Sequence, residues 1–298
     1  RGPTPEAAAQ LSQQKGELRQ HEAHSHFLHV LRDPWFVGNE KLQLVTVETR
    51  PNRTKVPGIK NVGFNQTWQG FMTKLELMSQ WLDEQKDDEA LVIFVDGEDT
   101  LFGGCSQEQF MRDYQDIVNR SGGAEVVTGA ERGCYEIPRP WYCEGVPKVP
   151  EWAVRDWTRA AGGREIGGSH LDRDGQMRFV NSGFIMGPVG KLRQVFQTSL
   201  EDMQNWRHEG RLRGDQYYVA RYILGHGESA VPDYGSSLVT CGYSLDPLKL
   251  FKLLPGGGLY NEVTEKQQCF FHANGPSFKE SLGIIRWQQG GEIPREVG

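Results

Sequence analysis

Apolar and polar positions along the chain follow two patterns, one typical of buried strands and one typical of amphipathic helices. Leu42–Val47 and Leu91–Val95 are short apolar runs, and the second is uniform enough to predict a strand that is buried on both faces. Between them, apolar residues recur at helical spacing over Phe71–Leu82. The order of strand, helix and strand then repeats, with a helix predicted over residues 107–119 and a strand over Glu125–Thr128.

The second half of the chain resumes this pattern after an interruption. Over residues 132–176 the periodicity fails, and the stretch is rich in Pro, Gly, Trp and Arg, which predicts a long surface excursion with a functional role. Two apolar runs follow, Phe179–Val180 and Phe184–Met186, and they frame a predicted turn at Asn181–Gly183. Further helices are predicted over residues 192–203 and over Asp215–Leu224.

This alternation predicts an α/β fold with a mostly parallel central sheet flanked by helices. We expect one domain over residues 41–298, preceded by a polar, Gln- and His-containing stalk over residues 1–40. Eight Trp and fourteen Phe supply enough apolar bulk for a core. The formal charge of −6 is mixed along the chain without a basic tract, which argues against a nucleic-acid partner. The oligomeric state cannot be read from these features.

Sequons and cysteines bear on the compartment. Three sequons begin at Asn52, Asn65 and Asn119, and together they favour the lumen of the secretory pathway or secretion. The five cysteines contain no Cys-x-x-Cys pair, which argues against a zinc site. Cys134 and Cys143 flank a Pro-rich loop and could close a disulfide, and the odd number of cysteines leaves one thiol over.

The sharpest chemical feature is a group of acids that directly follows an apolar run. In the segment FVDGEDTLF, the predicted strand delivers Asp96, Glu98 and Asp99 into a turn. Acids concentrated at a strand end are costly unless a cation neutralises them, and the carboxyl ends of strands are where ligands bind in such sheets. Mg²⁺ or Mn²⁺ would join these carboxylates to the oxygens of a diphosphate. The alternative is an acidic turn that caps a helix.

Six further residues in four segments carry candidate chemistry, each with a structural alternative. His272, in CFFHANGPS, offers an imidazole ligand, and imidazole with carboxylates favours Mn²⁺ over Mg²⁺; the alternative is a structural histidine before a turn. Asn181 and Ser182 are candidates for binding a sugar, unless they only turn a hairpin. Asp215 and Gln216 could bind sugar hydroxyls, or Asp215 could simply cap its helix. Lys74 could hold a phosphate as a point charge or be a solvated helix lysine.

These stretches, in this order, resemble the glycosyltransferase domain of the procollagen lysyl hydroxylase and glucosyltransferase family, from about Lys41 to Phe278. That family has an Asp-x-x-Asp motif after a buried strand, an Asn-Ser-Gly turn, an Asp-Gln pair opening a helix, and a late His-x-Asn-Gly-Pro. The resemblance implies a GT-A-like (Rossmann-like) fold, a UDP-sugar donor carrying glucose or galactose, and Mn²⁺. It also implies a protein or glycopeptide acceptor, such as a collagen-like chain with galactosyl-hydroxylysine.

The resemblance further implies roles for individual residues. Asp96, Asp99 and His272 match the family's metal ligands. Lys74 is similar to a family lysine near the donor, Trp68 to a donor-side aromatic residue, and Asn274 and Gly275 to the loop that contacts the diphosphate. Glu98 stands where the family has an aromatic residue beside the base. No catalytic residue is assigned, because neither the residues nor the resemblance decides between retention and inversion.

Two other functions remain open. His170 and Asp172 have the His-x-Asp spacing of an iron- and 2-oxoglutarate-dependent oxygenase, although the α/β alternation does not suit that fold. A non-catalytic sugar-binding module of the same fold is the other alternative. Aromatic residues in the excursion, among them Trp152 and Trp157, predict a cleft for the acceptor, unless they pack the segment onto the domain.

Overall fold

The computed structural model describes residues 35–36, 38–50, 59–97, 99–134, 143, 145–162, 170–207, 214–255 and 257–275. Most of the predicted stalk and the residue Glu98 therefore lie outside the described residues. Within the described part of the chain, no helix combines the length and the apolar character that a membrane span requires.

The described residues form short strands interleaved with helices. The strands are β1 (Leu42–Thr46), β2 (Ile59–Asn61), β3 (Leu91–Val95), β4 (Thr100–Phe102), β5 (Val126–Glu131), β6 (Gly133–Cys134), β7 (His170–Leu171), β8 (Phe179–Pro188), β9 (Ala230–Pro232), β10 (Val239–Cys241), β11 (Phe251–Leu253), β12 (Leu259–Asn261), β13 (Lys266–Gln267) and β14 (Phe270–His272). The helices are α1 (Met72–Asp83), α2 (Gln107–Arg120), α3 (Val189–Arg207), α4 (Asp215–Gly225) and α5 (Pro247–Leu250), with 3₁₀ turns at Glu151–Ala153 and Trp157–Ala160.

A six-stranded sheet in the order β2-β1-β3-β8-β5-β9 forms the centre of the fold. The α/β class is confirmed, but the prediction of a mostly parallel sheet is wrong, because the sheet is mixed. β8 lies between β3 and β5 and runs antiparallel to both, whereas the other neighbouring strands are parallel. A strand buried on both faces has the same apolar pattern in either direction, so the pattern could not reveal this reversal.

The predicted turn at Asn181–Gly183 is also wrong, because these residues lie inside the continuous ten-residue strand β8. All ten residues of this strand are buried. Opposite the polar residues, the pairing of β5 with β8 is irregular: Thr128 pairs with Ile185 and Gly129 with Asn181, so three residues of β8 are skipped. Asn181 and Ser182 looked like turn residues because the groups that they contact inside the protein, His272 and Asp215, are distant in sequence.

The core lies on both faces of the central sheet. On one face, Leu75, Met78 and Leu82 of α1 pack with residues of β3, β8, α3 and α4. On the other face, α2 places Phe110 and Ile117 against the sheet. Each fully buried side chain of this kind contributes about 1.5–3 kcal/mol of transfer free energy. Both helices follow the apolar spacing seen in the sequence, which confirms their prediction within one or two residues.

Two residues of the predicted stalk, Trp35 and Phe36, pack into the core of the domain. Phe36 is buried, and it contacts the rings of Phe102 and Phe270 in edge-to-face and tilted geometries. Trp35 packs against the same cluster and donates its indole N–H to the carbonyl of Cys105 at 2.9 Å. The stretch that precedes them is polar in composition, so the packing of these two aromatic residues against the domain was not predicted.

A second sheet, in the order β10-β14-β4, packs beside the central one. β14 runs parallel to β10 and antiparallel to the edge strand β4. A disulfide joins Cys105, just after β4, to Cys269, just before β14. The expected bridge between Cys134 and Cys143 is not formed; their thiols instead share a hydrogen bond, and burial raises the pKa of Cys134.

Candidate metal centre and adjoining cleft

Strand ends from both sheets bring three potential metal ligands together. β3 ends at Val95, and Asp96 follows it with its backbone N–H donating to the carbonyl of Gly183 at 2.9 Å. Asp99 directly precedes β4, and His272 ends β14. Because His272 lies opposite Thr100 in the β4–β14 ladder, the pairing of these strands sets His272 beside Asp99.

The geometry of this group fits a divalent cation. Nε2 of His272 lies 3.1 Å from Oδ1 of Asp99 and 3.9 Å from Oδ2 of Asp96. One ligand atom from each of the three residues lies within 4.8 Å of the others. Adjacent ligands on a metal with bonds of about 2.1 Å are about 3 Å apart, so small side-chain movements would complete the site. Two carboxylates and one imidazole are a donor set that suits Mn²⁺.

The imidazole of His272 is held so that Nε2 faces the carboxylates. Oδ1 of Asn181 accepts the backbone N–H of Gly183 at 2.9 Å, so this amide atom is an oxygen acceptor. The same oxygen lies 2.8 Å from Nδ1 of His272, which must therefore carry the proton. A neutral imidazole in this tautomer presents the lone pair of Nε2 to a metal, and an orienting partner of this kind tunes a metal ligand.

Gly183 makes room for the imidazole. A Cβ at this position would lie 2.0 Å from Cε1 of His272, far inside van der Waals contact. The Asn-Ser-Gly sequence therefore serves the metal centre through Asn181, which orients the ring, and through Gly183, which admits it. This role differs from the direct contact with a sugar that was predicted for Asn181.

A buried lysine joins the metal centre to a second group of polar residues. Nζ of Lys74 lies 2.8 Å from Oδ1 of Asp96 and 2.6 Å from Oδ2 of Asp215. Burial lowers the pKa of Lys74, but the carboxylates of Asp215 and Asp96 outweigh it and raise the pKa above its ordinary value. Lys74 is therefore a charged, buried residue and not a solvated helix lysine.

The residues predicted to bind sugar form one hydrogen-bonded network. The hydroxyl of Ser182 donates to Oδ2 of Asp215 at 2.8 Å, and the backbone N–H of Ser182 lies 3.4 Å from Oε1 of Gln216. Asn181, Ser182 and Asp215 are buried, and Gln216 is half-buried. Their polar atoms are engaged with protein groups: Asn181 contacts His272, and Gln216 donates to Glu131. Asp215 reaches the metal centre through Lys74.

Glu131, at the end of β5, is a site residue that the sequence analysis missed. Its side chain is 1% exposed and accepts hydrogen bonds from Nε2 of Gln216 at 2.6 Å and from Nδ2 of Asn274 at 2.5 Å. Burial raises the pKa of Glu131 to about 7, against the opposing effects of Gln216, His272, Asn274 and Asn181. Glu131 follows Thr128, Gly129 and Ala130, so it did not stand out as Asp96 does directly after the apolar run Leu91–Val95.

Asn274 and Gly275 lie just beyond the metal ligand His272. Besides its bond to Glu131, the side chain of Asn274 accepts the backbone N–H of Tyr243 at 3.0 Å. Gly275 has a φ of 68°, a conformation that favours glycine. The side chain of Asn274 is thus used within the protein, which leaves the backbone of this loop as the part that can approach a phosphate.

A cleft of about 400 Å³ opens from the metal centre. Asp96, Asp99 and Lys74 line one part of it, and Trp68 and Phe71 line another. The two aromatic rings meet edge to face at 6.1 Å, and their side chains are 47% and 49% exposed. The volume falls within the usual range for small-molecule sites, and exposed rings beside a metal centre provide a stacking surface.

Other candidate residues are used structurally. Asp172 accepts the backbone N–H groups of Asp174 and Gln176 and pairs with Arg178 at 3.2 Å, and the side chain of His170 lies outside the described residues. Among the described residues, Asp96, Asp99 and His272 form the one group with metal-ligand spacing.

The described aromatic residues of the excursion pack onto the domain. Trp157 is buried in a cluster with Leu245 and Phe271. Trp152 packs against the main core, and the guanidinium of Arg120 lies 5.7 Å from its ring. Both residues pack the segment onto the domain, and neither lines the cleft beside the candidate metal centre. The remaining aromatic residues of the prediction, Tyr135, Trp141 and Tyr142, lie outside the described residues.

Comparison with known proteins adds no relative: no protein-family model matches the chain, and no curated protein matches it significantly.

Proposed function

We propose that the protein is a divalent-metal-dependent glycosyltransferase that uses a UDP-sugar as donor. The observation that carries the proposal is the group of Asp96, Asp99 and His272 at one part of a cleft that also holds exposed Trp68 and Phe71. A cation on three protein ligands keeps open positions for phosphate oxygens. The rings offer a surface for a nucleotide base.

In this proposal the cation supplies Lewis-acid stabilisation of the diphosphate leaving group. Asn181 holds the imidazole of His272 in the tautomer that binds metal. Lys74 pairs with both Asp96 and Asp215 and offsets part of their negative charge beside the cleft. The mixed α/β sheet is compatible with a GT-A-like fold, and glucose or galactose transfer to hydroxylysine or to its galactosyl derivative follows only from the resemblance to the procollagen family.

The Cys105–Cys269 disulfide supports an oxidising compartment, because such bridges form and persist mainly in secreted and lumenal proteins. The sequons at Asn65 and Asn119 agree with this, since both asparagines are exposed. We therefore place the protein in the lumen of the secretory pathway or outside the cell as part of the same proposal.

The decisive experiment measures UDP binding by calorimetry with Mn²⁺, with Mg²⁺ and after chelation by EDTA. We expect binding that requires the cation and that Asp99→Asn and His272→Ala each weaken by at least tenfold. Asp83→Asn, an exposed acid at the end of α1, is the matched control and should bind normally. Equal UDP affinity with and without cation would overturn the metal-centre assignment. If binding requires the cation, a screen of UDP-sugars for released UDP identifies the donor.

A further inference from the structure

Asp99 and His272 sit on two short strands that are tied together at both ends. At the ligand end, the backbone N–H of Ala273 donates to the carbonyl of Asp99 at 2.7 Å. At the far end, Gly103 donates to the carbonyl of Cys269 at 2.7 Å, and the disulfide from Cys269 to Cys105 closes the pair covalently. The ladder between these ends contains only three residue pairs.

β4 depends on this arrangement because it is an edge strand. It has three residues, and in the described structure β14 is its partner in the sheet. A slip of one residue would move Asp99 by about 3.3 Å along β14. Metal–ligand distances tolerate only about 0.2 Å, so the register of this pair decides whether Asp99 and His272 can share a cation.

The disulfide is set in a close-packed environment that transmits its constraint. Both cysteines are buried in the cluster that contains Phe102 and Phe270. Next to them the strands approach so closely that a Cβ on Gly103 would lie 2.3 Å from the carbonyl oxygen of Gln268. Cys269 precedes His272 by three residues, roughly 10 Å of extended chain. A change at the sulfur atoms therefore acts on the ligands through one short, stiff strand.

We propose that the Cys105–Cys269 disulfide is a positioning element of the metal centre, which holds Asp99 in register with His272 and thereby sets the affinity for the cation. The inference rests on the proposed metal centre. Reduction by a dithiol cleaves the Sγ–Sγ bond, gives the two thiols and converts the dithiol into its cyclic disulfide. The edge strand is then held only by its hydrogen bonds, and cation affinity falls.

The first test compares Mn²⁺ affinities, measured by electron paramagnetic resonance well below the melting temperature. We expect the double variant Cys105→Ser/Cys269→Ser to bind Mn²⁺ at least tenfold more weakly than the wild type. Leu82→Ala, in the core on the other face of the sheet, is a destabilised control that keeps the disulfide and should bind within twofold of the wild type. Unchanged affinity in the folded double variant overturns the proposal.

The second test uses the wild-type protein and does not depend on the variant folding. Coupling between two events is reciprocal, so a disulfide that strengthens Mn²⁺ binding tenfold must become tenfold harder to reduce when Mn²⁺ is saturating. In dithiothreitol redox buffers this is a shift of about 30 mV in the midpoint potential of the disulfide. The potential is measured by alkylating Cys105 and Cys269 and quantifying the labelled peptides by mass spectrometry. A bridge that only stabilises the fold would show the same midpoint with and without Mn²⁺, and that result refutes the proposal.

The two hypotheses fail in different ways. A wild-type protein that binds no Mn²⁺ overturns both the metal centre and the positioning role of the disulfide. A wild-type protein that binds UDP with Mn²⁺, but whose double variant and redox midpoint show no coupling, overturns the positioning role alone.

Discussion

Gly183→Ala should destroy the metal centre although Gly183 is not a ligand. The added Cβ would lie 2.0 Å from Cε1, 2.5 Å from Nδ1 and 2.6 Å from Nε2 of His272. Carbon atoms in contact are about 3.5–4.0 Å apart, so the imidazole must withdraw by about 1.5 Å or more. This movement exceeds the tolerance of a metal–nitrogen bond several times over.

The withdrawal also breaks the 2.8 Å hydrogen bond from Nδ1 of His272 to Asn181. Loss of an orienting partner alone costs about 10- to 100-fold in metal affinity, and here the ligand itself is displaced. We therefore expect Mn²⁺ affinity to fall by at least about 100-fold. Overpacking should lower the free energy of unfolding by about 1–3 kcal/mol, which a domain of this size survives.

Mn²⁺ affinity and urea unfolding of the metal-free protein, measured on the same preparations, separate the two effects. Gly187→Ala is the matched control, because it lies on the same strand and its Cβ would meet Glu125 and Val126 at 3.1–3.3 Å without reaching His272. It should lose some stability and keep its metal affinity. The reasoning fails if folded Gly183→Ala binds Mn²⁺ within threefold of the wild type, or if Gly187→Ala weakens binding equally.

Three further predictions test the electrostatics of the site. The pKa of Glu131 is about 7 in the folded protein against an ordinary 4.5, so the free energy of unfolding falls as pH rises between these values. In urea unfolding of the metal-free protein, Glu131→Gln should reduce the difference in this free energy between pH 5 and pH 8 by up to about 3 kcal/mol. Lys74→Met leaves the carboxylates of Asp96 and Asp215 without the ammonium group that pairs with them. It should lower the free energy of unfolding in urea at pH 8 by about 3–5 kcal/mol. An unchanged value would show that this ion pair contributes little to stability. Burial lowers the pKa of His272, but Asp99 and Asp96 raise it overall. Because protons compete with the metal below this raised pKa, Mn²⁺ affinity should increase with pH until the pKa is passed. Mn²⁺ titrations at several pH values measure this. An affinity that is flat from pH 5 to 8 would contradict the assignment of His272.

Local periodicity was sufficient for the helices and for the buried strand Leu91–Val95, but not for the continuous strand β8. Leu91–Val95 was predicted with its observed bounds, and the helix over residues 107–119 differs by one residue from Gln107–Arg120. The antiparallel direction of β8 could not be predicted in this way. A strand that is buried on both faces lacks the alternation of apolar and polar residues that is typical of many antiparallel strands. The order of strands in the sheet likewise depends on contacts between distant segments.

The candidate site was predicted in part, and the features that were missed have two causes. Asp96 and Asp99 stood out because acids directly after an apolar run are costly without a partner. Glu131 was missed because the strand was predicted to end at Thr128, three residues before it. The role of Gly183 and the bridge between Cys105 and Cys269 depend on contacts across the fold that spacing along the chain does not encode.

The distribution of charge would favour a divalent cation at the candidate site. Four carboxylates, those of Asp96, Asp99, Glu131 and Asp215, converge around Lys74 and His272. Lys74 is shared between Asp96 and Asp215, and the carboxylates of Asp99 and Asp96 raise the pKa of His272. A divalent cation would bring two positive charges to this group, in a partly buried setting where charge counts for more than in water. Glu131 adds negative potential without occupying a ligand position, because three amide groups already hold its oxygens. The surplus of acid that raises the pKa of His272 against the effect of burial is therefore the feature that favours a cation there.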